Sequence, residues 1–237
     1  MTPQELKSSV LQWAIQGKLV EQRPEEGTGE ELYQAIRAEK RRLIKSGQLK
    51  KEKPLPEITE DEIPFDIPDS WKWVRFGKIA TYRIGKTPPR AEYEWWIPEI
   101  PWVSIRDMVQ DGHISNTKER ISAKAFHHKF GNSIAKAGTL LMSFKLTIGK
   151  VSILDMDAVH NEAIISIATL CDQGYIIRNY FFYVLPLITR YGESNNAIKG
   201  KTLNDSSIAN LVIPLPPLAE QRRMVAKIEE LSPYLDR

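Results

Sequence analysis

The 237-residue chain carries 33 lysines and arginines against 30 aspartates and glutamates, for a net charge of +3, and 42% of its residues are hydrophobic. That length suits one large domain or two small ones with a sizeable core, and the mild basicity means that any nucleic-acid face must come from segregated charge. The single cysteine, Cys171, excludes an intramolecular disulfide and a cysteine-rich zinc site, and no apolar run approaches the roughly 18 residues that span a membrane.

The N-terminus, Met-Thr-Pro-Gln-Glu-Leu-Lys, lacks a signal-peptide apolar core, so a cytoplasmic protein is expected. Residues 4–20 form a helical pattern in which Leu6, Val10, Trp13 and Ala14 share a stripe and Gly17 is a stop. Thr28 and Glu31 have capping-box spacing. The helix they open runs over 28–46 through Leu32, Ile36 and Leu43. Gly47 suits the left-handed position past its end, and Lys40, Arg41, Arg42 and Lys45 sit near the negative end of its dipole. Residues 1–49 thus read as a helical region. Residues 50–69, charged and rich in proline (Pro54, Pro56, Pro64, Pro68), read as an extended, semi-stiff linker.

From Trp71 the character changes. Trp71, Trp73, Val74, Phe76, Ile79 and Ala80 predict a strand or strand–turn opening, and Gly85-Lys86-Thr87-Pro88-Pro89 a turn. Ile100–Ile105 predicts a short strand. Gly138–Phe144 and Val151–Leu154 are apolar runs of strand length around a turn at Lys145–Lys150, and Ala163–Ala168 predicts a central strand. Residues 176–190 predict a buried helix despite Pro186, and Ile208, Leu211, Val212 and Ile213 close a domain at 70–213. Pro214, Pro216 and Pro217 then separate that run from a helix in which Met224, Ile228, Leu231 and Leu235 recur at a/d spacing. This is either a coiled-coil seam that pairs with another helix or a helix packed on its own domain. With strands in the middle and helices at both ends, the fold class is α+β: a β-rich domain with flanking long helices.

No catalytic constellation stands out. His127 and His128 are adjacent and diverge on a helix, so they make a poor metal pair, and His113 and His160 are isolated. The chain has no Walker A or GxGxxG segment, no methyltransferase motif and no nuclease-like carboxylate cluster before a lysine. No cofactor and no metal are expected. What remains are polar, basic loops between strands. Arg83, Lys86, Thr87 and Arg90 with Tyr93 form one group; Ser104, Arg106 and Asp107 follow a strand; Lys145 and Thr147 sit in a turn; Asn195, Asn196, Lys199 and Lys201 form a fourth stretch. Arg and Lys can read guanine or bind phosphate and Asn can read adenine, but ordinary solvated loops have the same composition. Trp95-Trp96 beside Tyr93 is either a stacking surface or, for at least one ring, core.

Several stretches resemble the specificity (S) subunits of type I restriction–modification systems. They are Leu6–Ala14 with Gly17-Lys18-Leu19-Val20, then Asp61–Trp71, Trp71–Ile79, Gly85–Pro88 and Ile100–Val103. Ala137–Ser143, Thr147–Val151, Asn161-Glu162-Ala163 and Ile213–Gln221 follow. Each is weak alone; their order along almost the whole chain is specific. The chain departs from the family at Asn161-Glu162, where Asn-Gln is common, and at Arg106-Asp107, where Gly-Asp is common. S subunits usually carry two recognition domains and this chain shows one, so a half-length or truncated subunit is expected. The resemblance implies a non-catalytic target recognition domain that binds double-stranded DNA through the loop residues named above. It also implies spacer helices, at 4–20, 28–46 and from 214 to 237, that dock methyltransferase (M) subunits and, through them, the restriction (R) subunit. With one domain per chain, a homodimer through Met224, Ile228, Leu231 and Leu235 is expected. The alternative from another class is a protein-interaction adaptor with a β-rich binding domain and helical dimerisation arms, without a basic face. A stand-alone nuclease or methyltransferase is disfavoured by the absent motifs.

Overall fold

Threonine caps set the first two helices. The computed structural model describes residues 2–51, 53–194 and 205–235. Helix α1 (Pro3–Ile15) starts at Thr2, whose Oγ1 accepts from the Glu5 N–H while the Glu5 carboxylate accepts from the Thr2 N–H. Helix α2 (Gly29–Lys45) repeats the device with Thr28 and Glu31, and Gly47 takes φ 74° just past its end. Next come strand β1 (Lys72–Arg75), the one-turn helix α3 (Phe76–Ile79), β2 (Ala80–Ile84), β3 (Ile100–Val103), β4 (Gly112–Ile114) and β5 (Glu119–Ile121). Then follow α4 (Ala123–Phe130), β6 (Leu140–Ser143), β7 (Val151–Leu154), β8 (Val159–His160) and β9 (Ile164–Thr169). The chain ends with α5 (Ile176–Ser194), α6 (Asp205–Asn210), β10 (Val212–Leu215) and α7 (Leu218–Leu235). The class is α+β, as expected.

The elements fall into two units that cut the chain differently from its composition. One draws on Met1–Ala80, Thr169–Ala197 and Asp205–Arg237, the other on Thr81–Ala168. The ends of the expected 70–213 domain, β1 and α3 on one side and α5, α6 and β10 on the other, therefore belong to the first unit. The reason is pairing: β1 runs antiparallel to β10, with Lys72 opposite Leu215 and Arg75 opposite Val212. Gly29 enables this arrangement, since a Cβ there would lie 2.0 Å from the Leu215 carbonyl oxygen.

In the first unit, α7 packs on α5 and α1. Met224 and Ile228, expected as an intermolecular seam, are 1% and 5% exposed. Their apolar surface is used inside the unit, which corrects the expected dimer contact; Leu231 is half-buried, and the Leu235 side chain lies outside the described residues. Helix α1 stops at Ile15, short of Val20, and Gly17 follows with φ 69°. Its buried face is Val10, Ala14 and Ile15, leaving Trp13 56% exposed at the margin of the expected stripe. Pro186 and Pro233 are both accommodated within helices; Pro233 sits in the last turn, where few backbone bonds remain to lose. Glu220, at the start of α7, is buried and accepts from the Trp71 Nε1–H at 2.9 Å and from Gln22, and burial raises its pKa.

The proline-rich segment is strapped to this unit rather than spacing it from anything. Arg75, 4% exposed, donates to both oxygens of Glu62 (2.7 and 2.6 Å), to the carbonyls of Pro56 (3.2 Å) and Glu57 (2.8 Å), and to that of Asn210 (2.9 Å). A guanidinium has five donors in a fixed fork, and here the linker backbone supplies acceptors for them. Phe65 adds a ring contact to Trp73, centroids 5.1 Å apart.

The second unit holds a five-stranded sheet of order β2-β9-β6-β7-β4 and a three-stranded sheet of order β5-β3-β8. Strands β6 and β7 are buried at every position, which is why they read as continuous apolar runs. Their two polar residues tie turns: Ser143 Oγ donates to the Thr147 carbonyl, and Ser152 Oγ donates to the Val109 carbonyl at 2.6 Å and accepts its N–H at 3.0 Å. Strand β9 lies inside the sheet, between β2 and β6. His160 is buried, and desolvation lowers its pKa to about 4, with the Arg83 charge contributing.

Two pH dependences follow. Hydrogen bonds from Arg75 hold the Glu62 carboxyl at about 2. A depressed carboxylate contributes stability that is complete above its unfolded pKa of about 4.3 and is lost as pH falls towards 2. Glu62→Gln should lower stability at neutral pH by about 2 kcal/mol, less than a fully buried broken pair because Arg75 keeps its carbonyl acceptors, and should flatten that acid limb in urea titrations. His160 stays neutral in the fold below the pH at which the unfolded residue charges. Stability should therefore fall by about 3 kcal/mol between pH about 6.5 and about 4, and His160→Gln should remove that slope.

Candidate nucleic-acid interface

Strand directions decide where the loops of the second unit meet. β6 and β7 are antiparallel, Met142 opposite Val151; β6 and β9 are antiparallel, Ser143 opposite Ile164; β4 is parallel to β7, Gly112 opposite Ser152. The Gly85 N–H donates to the Ile164 carbonyl at 3.1 Å, which sets the C-terminal end of β2 beside the start of β9. Strands β3 and β8 are parallel, and the Asn161 N–H donates to the Val103 carbonyl at 3.0 Å. One rim therefore collects the segment after β2, the loop after β3, the residues before β4, the β6–β7 turn, and Asn161–Ala163.

Seven expected residues lie on this rim: Lys86, Thr87, Ser104, Arg106, Asp107, Lys145 and Thr147. They are not equivalent. Asp107 Oδ2 accepts from the Ser104 N–H (2.8 Å) and Oγ–H (2.7 Å), and its Oδ1 accepts from the Lys118 N–H (2.9 Å). Ser104 and Asp107 thus close their own loop and shape the rim. Thr87 donates to the Glu162 carboxylate. Among the described residues, Lys86, Arg106 and Lys145 make no ion pair, whereas Lys124 pairs with Glu94 and Lys136 with Asp157. Unpaired cations on a fixed backbone suit phosphate oxygens or guanine edges, since no internal salt bridge must be broken first.

Other expected residues sit elsewhere. Arg83 is exposed within β2. Arg90 pairs with Glu119, and its guanidinium carbon lies 3.9 Å from the Trp96 ring centroid and 4.9 Å from that of Trp102. That side chain is held by two aromatic rings and a carboxylate, a packing role. Tyr93 is 80% exposed beside it in sequence. Trp95 and Trp96 are both half-buried against the cluster of Trp102, Ile121, Ala125 and Val159. Asn195, Asn196, Lys199 and Lys201 lie outside the described residues.

Sequence reasoning missed helix α4, which carries Lys124, His127, His128 and Lys129. The Lys124 and Lys129 ammonium groups stand 5.1 and 5.0 Å from the Trp95 ring centroid. Its signals were present: Ser122 caps the N-terminus and Gly131 takes φ 57° at the C-terminus. Among the described residues, no group of three or more His, Cys, Asp or Glu is placed to hold a metal ion, and no helix is long and apolar enough to cross a membrane.

Comparison with known proteins agrees with the sequence motifs. Residues 68–235 match the family model for the type I restriction modification DNA specificity domain. The chain is 30% identical over 98% of its length to the Escherichia coli type I restriction enzyme EcoAI specificity subunit, and 32% identical over 95% to that of EcoEI. It spans 40% and 38% of those relatives. Among solved structures, a chain from a study of type I R-M complex assembly superposes with TM-score 0.56, and the HsdS subunit of Thermoanaerobacter tengcongensis with 0.54. Each is 22% identical over 88% of this chain, which covers 50% and 49% of theirs. The shared fold, the ordered motifs and the family match agree: the chain belongs to the type I restriction modification DNA specificity domain family.

Proposed function

We propose that this chain recognises one half of a bipartite double-stranded DNA target through the loops of its Thr81–Ala168 unit, inside the expected recognition domain at 70–213, and performs no catalysis of its own. The observation that most supports this is the rim: among the described residues, three loops, each with a cation free of ion pairing, are brought to one rim shared by the two sheets of the second unit. Lys86, Arg106 and Lys145 supply the charge, Thr87 lies between them in chain order, and Ser104 with Asp107 holds the loop shape. Relatives named as specificity subunits of type I restriction enzymes support the same role.

The helical unit serves a different purpose in this proposal. Trp13, 56% exposed, and Leu6, 39% exposed, share one face of α1 at i,i+7 spacing, and a contiguous apolar face left in water suits a protein contact. They dock methyltransferase subunits and, through them, the restriction subunit, in the cytoplasm. A readout of a few base pairs is too small for genomic specificity, so half-sites are combined on a ruler. The α7 seam is not that ruler's dimer contact, because Met224 and Ile228 are buried within their own unit.

Selection from a randomised duplex pool at near-physiological salt, with a methyltransferase partner present, should enrich a short motif, either contiguous or split with a fixed gap. Lys86→Ala should weaken binding to all duplexes and lower the log–log salt slope by about 1. No enrichment with the partner bound would favour an interaction adaptor instead.

A further inference from the structure

The β6–β7 turn does more than present Lys145. Leu146, at its tip, is 79% exposed and has φ 66°. A left-handed backbone is uncommon for a residue with a Cβ, and glycine or asparagine occupies it at lower cost. An isolated exposed leucine is ordinary. Three further observations set this one apart.

The turn is pinned on all sides. The Gly149 N–H donates to the Ser143 carbonyl (2.9 Å), the Ser143 N–H to Lys150 (2.9 Å), the Thr147 N–H to Lys145 (2.7 Å) and the Phe144 N–H to Ala163 (2.9 Å). Phe144 is buried directly before it. Leu146 is therefore held out on a stiff support, where it cannot fold back onto the core. Second, the position is the rim described above, flanked by Lys145 and Thr147. Third, the rim has a companion: Val109, before β4, is 53% exposed, and Asp111 also has positive φ, 53°. Strained backbone and unburied apolar side chains coincide on the face that bears the unpaired cations, and such strain collects at functional sites.

Resting on the proposed DNA-binding role, we infer that Leu146 is an apolar wedge that enters between adjacent base pairs of the bound duplex and unstacks them. Lys145 holds the neighbouring phosphate, and Thr147 supplies a hydroxyl beside it. Proteins that kink DNA insert leucine in this way, and the cost of unstacking depends on the step, lowest at pyrimidine–purine steps. Leu146 thereby reads deformability at a step that no polar side chain contacts.

The test uses the full chain on the duplex it selects, with 2-aminopurine placed at each position in turn. The wild-type chain should raise fluorescence at one step. Leu146→Ala and Leu146→Gly should abolish that rise and weaken binding about tenfold, the scale of one leucine withdrawn from a contact. The salt slope should stay unchanged, because no phosphate contact is lost. Leu146→Gly should also leave the thermal midpoint equal or higher, since glycine relieves the left-handed backbone, so a binding loss cannot be ascribed to unfolding. A mismatch at the same step should restore the variants' affinity towards wild type. Wild-type binding without any fluorescence rise, or variants that bind as tightly as wild type, would overturn the wedge and leave the DNA-binding role standing. A wild-type chain that binds no duplex would overturn both.

Discussion

The close approach of Gly85 to His160 and Asn161 organises the second unit. A Cβ at Gly85 would stand 2.0 Å from the His160 carbonyl oxygen and 2.2 Å from that of Asn161, distances only a hydrogen can accept. Backbone bonds use this proximity on both sides. Gly85 donates to Ile164 in the five-stranded sheet, Lys86 donates to His160 at 2.8 Å, and Trp102 of the three-stranded sheet donates its indole N–H to the Lys86 carbonyl at 3.0 Å. One residue without a side chain thus joins β2, β9, β3 and β8. The loops that follow β2 and β3 share a rim because those four strands are joined there.

The parts of this arrangement that depend on local chemistry were legible in the sequence. Thr28 and Glu31 announce α2, and the runs 138–144 and 151–154 announce a hairpin, because burial on both faces leaves no polar alternation to confuse. Strands β4 and β5, three residues each, are too short to show any period. Arg75 looks like a surface charge in sequence. Its burial depends on carbonyls of Pro56 and Glu57 and on Glu62, none of which is identifiable as its partner beforehand. The rim was legible only as separate polar loops. Their convergence needs the strand order and the parallel pairing of β4 with β7 and β3 with β8, and pairing between distant strands is a tertiary choice.

Net charge is a poor guide to this surface. With 33 basic and 30 acidic residues, a basic face exists only where acids are withheld. Much of the chain pairs its charges: Lys72 with Glu30, Arg90 with Glu119, Lys124 with Glu94, Lys136 with Asp157, Arg223 with Glu26. The exposed pairs among these, all but Arg223–Glu26, add little stability, but they cancel long-range field. Where Asp107 and Glu162 do stand on the rim, they accept hydrogen bonds from Ser104, the Lys118 backbone and Thr87 instead of pairing with a cation. The cations of the rim thus keep their field for an external anion.

The same logic of withheld and committed surface separates the two units. In the helical unit Met224 and Ile228 of α7 are already buried, with α7 packed on α5 and α1, whereas Trp13 of α1 is left exposed. In the other unit the committed surface is the sheet interior, and the uncommitted surface is a rim that carries Lys86, Arg106 and Lys145 and the raised Leu146. On the proposed DNA-binding role, a rigid rim of this kind would discriminate by what a duplex must do to fit it, as well as by the hydrogen bonds it offers. The chain spans about 40% of the curated relatives and half of the solved ones.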